Sequence, residues 1–292
     1  MTVYTLYRGF FVWILGTFFI LFAFLIFRDL GWGGKPDECI DAKPHNGCYC
    51  EEFKKDDVIK DKPGVRQPVN TWSNLYAIIT SFIVAYFVYT DRKKYTNEHS
   101  AADTAPNIIG SSSWKADLYI FAVLFLGLGS MWFHASLKEW GGLLDGVSMY
   151  VFASYLVFYS ARRFFNSDCV FWLGYLCSLL FFTLMSNLGV DSVINIGILV
   201  GAYAVLEIYI SWRTKILQGK LKTILLWAFA FVAIIAATIF RGLSETGGSL
   251  CFPTSWFQPH GLLWHPLAGV MAVLLYFYWR DADDRTELGT QI

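Results

Sequence analysis

One serine, three histidines and an aspartate stand out in a chain otherwise built for apolar surroundings. In GSMWFHASL, residues 129–137, Ser130 and His134 are four apart, so on a helix they share a face about one turn apart. Asp145 follows in LLDGVSM, eleven positions after that histidine, and FQPHGLLWHPLAG holds His260 and His265. Neutral imidazoles are good zinc ligands, and three of them with a water make an open site of the catalytic type. Asp145 could take the proton from a water whose pKa zinc lowers to roughly 7. Ser130 could donate to the oxygen that turns negative as a carbonyl is attacked. Each residue also has a plainer reading. A histidine at a helix end commonly just bonds to a neighbouring helix, Ser130 with Gly127 and Gly129 could let helices approach closely, and Asp145 could cap the helix it begins.

The elements that must position these residues are membrane helices. Of 292 residues, 55% are hydrophobic and 16% charged, which excludes an ordinary soluble domain. With no net charge and no basic stretch longer than RKK at 92–94, nothing points to a nucleic-acid partner. Apolar runs of roughly 17 to 22 residues, about what a bilayer core needs, occur near 9–27, 73–90, 116–134, 143–161, 169–186, 191–211, 223–240 and 259–279. The expected fold is therefore all-α: a seven-helix transmembrane bundle preceded by one N-terminal anchor, eight spans in all. The first run lacks a small-x-small cleavage site after Phe27 and reads as a retained anchor. The expected divisions are an anchor over 1–30, a loop over 31–69, the bundle over 70–281 and a tail over 282–292.

Lysine and arginine in the short loops favour cytoplasmic termini and an exoplasmic or lumenal segment over 28–72. Cys39, Cys48, Cys50 and Cys251 then all fall on the oxidising side, where two disulfides are expected, with their pairing open. His45 and His99 belong to polar loops and read as solvated surface, and residues 95–113 as a polar linker. With that topology, Ser130, His134, Asp145, His260, His265 and the NTWSN stretch from Asn70 to Asn74 meet at one depth, in the outer half of the bundle. Ionisable groups inside spans are costly and normally face the interior at functional sites. Trp72, Trp132, Trp140, Trp256 and Trp264 read as an aromatic belt at the membrane interface.

GSMWFHASL, LLDGVSM, LLWHPLAG and NTWSN resemble the alkaline ceramidase family. That family belongs to a larger group of seven-helix membrane hydrolases with adiponectin and progestin receptor relatives and GPI-remodelling lipases. The resemblance covers about residues 48–280. It implies a zinc amidase that cleaves ceramide into a sphingoid base and a fatty acid. Carried over, His134, His260 and His265 would hold zinc, Asp145 would activate water and Ser130 would stabilise the oxyanion.

Two departures from the family pattern carry expectations. The last two histidines are five residues apart, where the family usually has four. On a regular helix an offset of five turns the second about 140° from the first, against about 40° for four. A π-bulge within 260–266 would realign them, and Pro266, which lacks an amide, gives it a motive. The second departure concerns calcium, which some relatives bind through an acidic N-terminal segment. Its counterpart here, CYCEEF at 48–53 followed by Gln67, keeps only Glu51 and Glu52 as weak candidate ligands, too few oxygens for a cation that prefers six to eight. A Cys50–Cys251 disulfide is expected to tie this segment to the bundle instead.

The expected function is zinc-dependent hydrolysis of the N-acyl bond of ceramide or a related membrane lipid. The alternatives are an ester-cleaving lipase of the GPI-remodelling kind and a lipid-sensing receptor whose zinc is structural.

Overall fold

A computed structural model describes residues 3–40, 49–98, 109, 114–214 and 221–289. His45, Cys48, His99, most of the 95–113 linker and the end of the tail lie outside the described residues. Among those described, helices make up every long element and no strand forms. The helices are α1 (Val3–Leu30), α2 (Lys55–Ile59), α3 (Pro68–Ser73), α4 (Leu75–Glu98), α5 (Trp114–Ser136), α6 (Glu139–Phe165), α7 (Asp168–Asn187), α8 (Ser192–Thr214), α9 (Leu221–Leu243) and α10 (His265–Gly289).

Seven segments are long and apolar enough to cross a membrane: Pro68–Lys93, Trp114–Ser136, Glu139–Phe165, Asp168–Asn187, Ser192–Arg213, Leu221–Leu243 and His260–Ala282. They coincide with the second to eighth apolar runs. Helix α1 occupies the first run and stands outside these seven. The chain is thus read as a multi-pass membrane protein.

Spans α5 and α6 form the middle of the bundle, with 72% and 61% of their apolar windows buried against 17% for α7 and 22% for α9. Outward apolar surface costs nothing in lipid, so the peripheral helices can leave theirs uncovered. Small residues make the central approach close. A Cβ on Gly127 would fall 2.2 Å from that of Ala77 on α4, and one on Gly129 would fall 2.7 Å from Ser148 on α6. These glycines therefore do the close packing for which Ser130 was also a candidate. The inner end is fastened by a buried ion pair between Arg163 and Glu207, 2.9 Å apart, with the Tyr278 hydroxyl donating to the same carboxylate at 2.6 Å.

The segment between α1 and α3 holds a strap folded across the end of α5 and the start of α6. The Asp61 carboxylate accepts from the amides of Trp32 and Gly33 and pairs with Lys138, a side chain 1% exposed. Val58 is buried against Phe133 and Leu137. The amides of Arg66 and Gln67 donate to the carbonyls of Ala135 and His134, satisfying the last turn of α5. A disulfide joins Cys50 to Cys251, with 5.3 Å between their Cα atoms, and Cys39 is disulfide-bonded as well. Cys169 and Cys177 are free.

The tryptophans do not form one belt. Trp132 packs edge-on against Phe24, Trp32 and Trp140, where the start of the strap meets α1, and Trp264 turns inward to line internal cavities. Trp256 is 79% exposed.

Candidate metal centre

His134, His260 and His265 converge although 131 positions separate the first from the last. One nitrogen from each lies within 4.8 Å of the others, and all three residues are buried. His134 comes from the last turn of α5. The other two flank a π-helical turn over His260–Trp264, the widened turn that the five-residue spacing predicts. Its hydrogen bond runs from the His265 amide to the His260 carbonyl. The wider turn brings both rings to one side, with centroids 4.8 Å apart.

Hydrogen bonds at the back of two rings fix their tautomers. Gln67 donates its amide nitrogen to the carbonyls of Tyr49 and Glu51, which leaves Oε1 to accept from His134 Nδ1 at 2.7 Å. The proton is then on Nδ1, and the Nε2 lone pair points inward. Ser73 spends its own proton on the Asn70 carbonyl, so at 2.7 Å it accepts from His265 Nδ1. His265 Nε2 is buried and has no hydrogen-bond partner among the described residues. His260 Nε2 lies 3.2 Å from His134 Nε2. Bonds of about 2.0–2.1 Å in a tetrahedral array would put two such nitrogens about 3.3 Å apart. The donor set, its separation and the orphaned nitrogen all fit zinc.

Ser130 and Asp145 stand beside this triad and line the same polar cavity as His260 and His265, of about 330 Å³. The Ser130 side chain faces the Asp145 carboxylate across that cavity. Helix α6 begins at Glu139, so Asp145 lies in its second turn and is too deep to serve as its cap.

The strap contributes residues for which sequence spacing gave no role. The Tyr49 ring stacks on His260 with centroids 3.6 Å apart and planes at 22°. Burial pushes its phenol up to about 12, so it stays protonated. Arg241, at the end of α9, lies over the Tyr49 ring. Glu51, a weak calcium candidate from sequence, uses both carboxylate oxygens on the amides of Val69 and Asn70, at 2.7 and 2.8 Å. Burial raises its pKa against the pull of those amides. Glu52 is exposed and joins no metal-type cluster of His, Cys, Asp or Glu among the described residues.

Two apolar spaces adjoin the polar cavity. One, of about 610 Å³, runs into the core past Leu126, Met149, Phe152 and Leu156. The other, about 840 Å³, lies between α8 and α9, walled by Val193, Gly197, Ile235 and Ile239. Trp264 borders all three spaces.

No family model matches this chain, and no curated protein matches it.

Proposed function

We propose that the protein is a zinc-dependent membrane amidohydrolase that cleaves the N-acyl bond of ceramide or a closely related N-acyl lipid. The observation that carries this reading is the triad His134, His260 and His265, with a vacant nitrogen, set beside the Ser130–Asp145 pair at the junction of a polar cavity and two apolar ones. Its motifs resemble those of the alkaline ceramidases, which supplies the choice of substrate.

In this reading the histidines hold zinc, which when bound supplies Lewis acidity to polarise the acyl carbonyl and acidify water. Asp145 takes the proton from the attacking water and passes it to the leaving nitrogen. Ser130 turns its hydroxyl from Asp145 to the developing oxyanion. The balance is one amide and one water in, one carboxylate and one ammonium out. The apolar spaces exclude bulk water and house the chains.

The lysine and arginine bias favours cytoplasmic termini, with the centre towards the exoplasmic or lumenal side. Helix α1 serves as an additional N-terminal anchor, held to the bundle by Phe24 against Trp72 and Trp132.

Purified protein given an N-acyl sphingoid lipid and its ester analogue in mixed micelles tests this. Release of fatty acid from the amide, abolished by a strong chelator and restored by zinc, is the expected result. Turnover of the ester alone would replace this reading with the lipase one, and binding without turnover of either would replace it with a receptor.

A further inference from the structure

Arg241 is a buried cation for which the hydrolytic scheme above has no use. Its side chain is 10% exposed, at the outer end of α9. It lines both the polar cavity with Ser130, Asp145 and His260 and the apolar groove between α8 and α9. A guanidinium has five N–H donors. Its guanidinium bonds to Glu245, which is partly exposed, at 3.4 Å. The rings of Tyr49 and Trp264 lie 5.4 and 6.0 Å from it and hold it in place. The charged groups that face it are Asp145 and Glu245.

The geometry points to Arg241 as the residue that recognises the leaving half of the substrate, and its charge fits an anionic one. This rests on the hydrolase reading. With the acyl chain in the core cavity and the scissile carbonyl between Ser130 and the histidines, the atoms beyond the amide nitrogen pass Arg241 on their way to the α8–α9 groove. A neutral diol gives a buried guanidinium only weak acceptors, whereas a carboxylate or phosphate accepts its forked donors as charge-assisted bonds. This narrows the reading above from ceramide itself to those related N-acyl lipids whose amine half carries an anionic oxygen group close to the nitrogen.

The test compares N-acylglycine with N-acylethanolamine of the same chain, which differ in carboxylate against hydroxymethyl. Binding is measured by equilibrium dialysis on detergent-solubilised wild type and on His134→Ala, which removes a metal ligand. N-acylglycine is expected to bind roughly tenfold or more tightly than the ethanolamide in both proteins, as a hydrogen bond to a charged group requires. Arg241→Gln should erase that preference and Arg241→Lys retain part of it. An N-acylethanolamine phosphate arm separates the two anions: whichever binds more tightly names the group.

Equal binding of acid and ethanolamide in wild type would overturn the proposal. So would a preference that survives Arg241→Gln, or one that vanishes in His134→Ala and so belongs to the metal. Should Arg241→Gln fail to fold, Arg241→Lys carries the test: a preference for the acid left at its full wild-type size in that variant would refute the assignment. Because binding is read without turnover, a protein that hydrolyses no amide yet shows the Arg241-dependent preference would sink the hydrolase reading while leaving this anion site standing.

Discussion

Gln67 Oε1 lies 2.7 Å from His134 Nδ1, while the same side chain's nitrogen donates to two carbonyls of the strap. One amide thus joins the strap to a metal-type histidine and sets that histidine's tautomer. Outer partners of this kind typically contribute 10–100-fold to metal affinity. Gln67→Ala should weaken zinc binding by about that factor in a chelator competition. Wild-type affinity in Gln67→Ala would remove its positioning role.

Asp145→Asn should leave zinc stoichiometry and melting temperature near wild type while removing most amide hydrolysis. Ser130→Ala should lower kcat by roughly 10²–10³, as deletion of an oxyanion donor does. A loss below threefold for Ser130→Ala would reduce that serine to a partner of Asp145.

The Cys50–Cys251 bridge closes a long segment of chain and flanks Tyr49 and Glu51. Replacing both cysteines with serine should cost about 2–5 kcal/mol in thermal or denaturant unfolding. The strap should also become sensitive to limited proteolysis around residues 49–67. Unaltered protease resistance would show that the Asp61 and Lys138 contacts hold the strap without it.

Helix periodicity and charge bias carry much of this arrangement. The apolar runs mark the seven spans, the i, i+4 spacing of Ser130 and His134 places them on one face, and the five-residue offset of His260 and His265 requires the widened turn. Tyr49, Gln67 and Arg241 were not legible as site residues. The first two lie in an irregular segment whose path is fixed by long-range contacts, such as Asp61 with Lys138, that no local pattern records. Arg241 carries no local signal because its burial follows from Tyr49 and Trp264 closing over it. Trp264 read as interfacial because the turn that points it inward rotates its face away from a regular helix.

The Arg163–Glu207 pair is buried on both sides, at 4% and 1% side-chain exposure. Arg163→Ala strands the carboxylate and should destabilise the fold by about 3–5 kcal/mol. Zinc content should be unchanged in whatever fraction stays folded, because the pair belongs to the inner end of the bundle. A cost below 1 kcal/mol would mean that Ser160, Tyr278 and Trp279 satisfy Glu207 without the arginine.

The most direct test of the central claim is the metal content of detergent-purified protein, wild type beside His134→Ala, by elemental mass spectrometry. The expected result is about one zinc per chain in wild type and almost none in the variant, as a three-histidine site requires. Wild-type protein that carries no zinc after repletion, or a His134→Ala variant that keeps a full complement, would contradict the account.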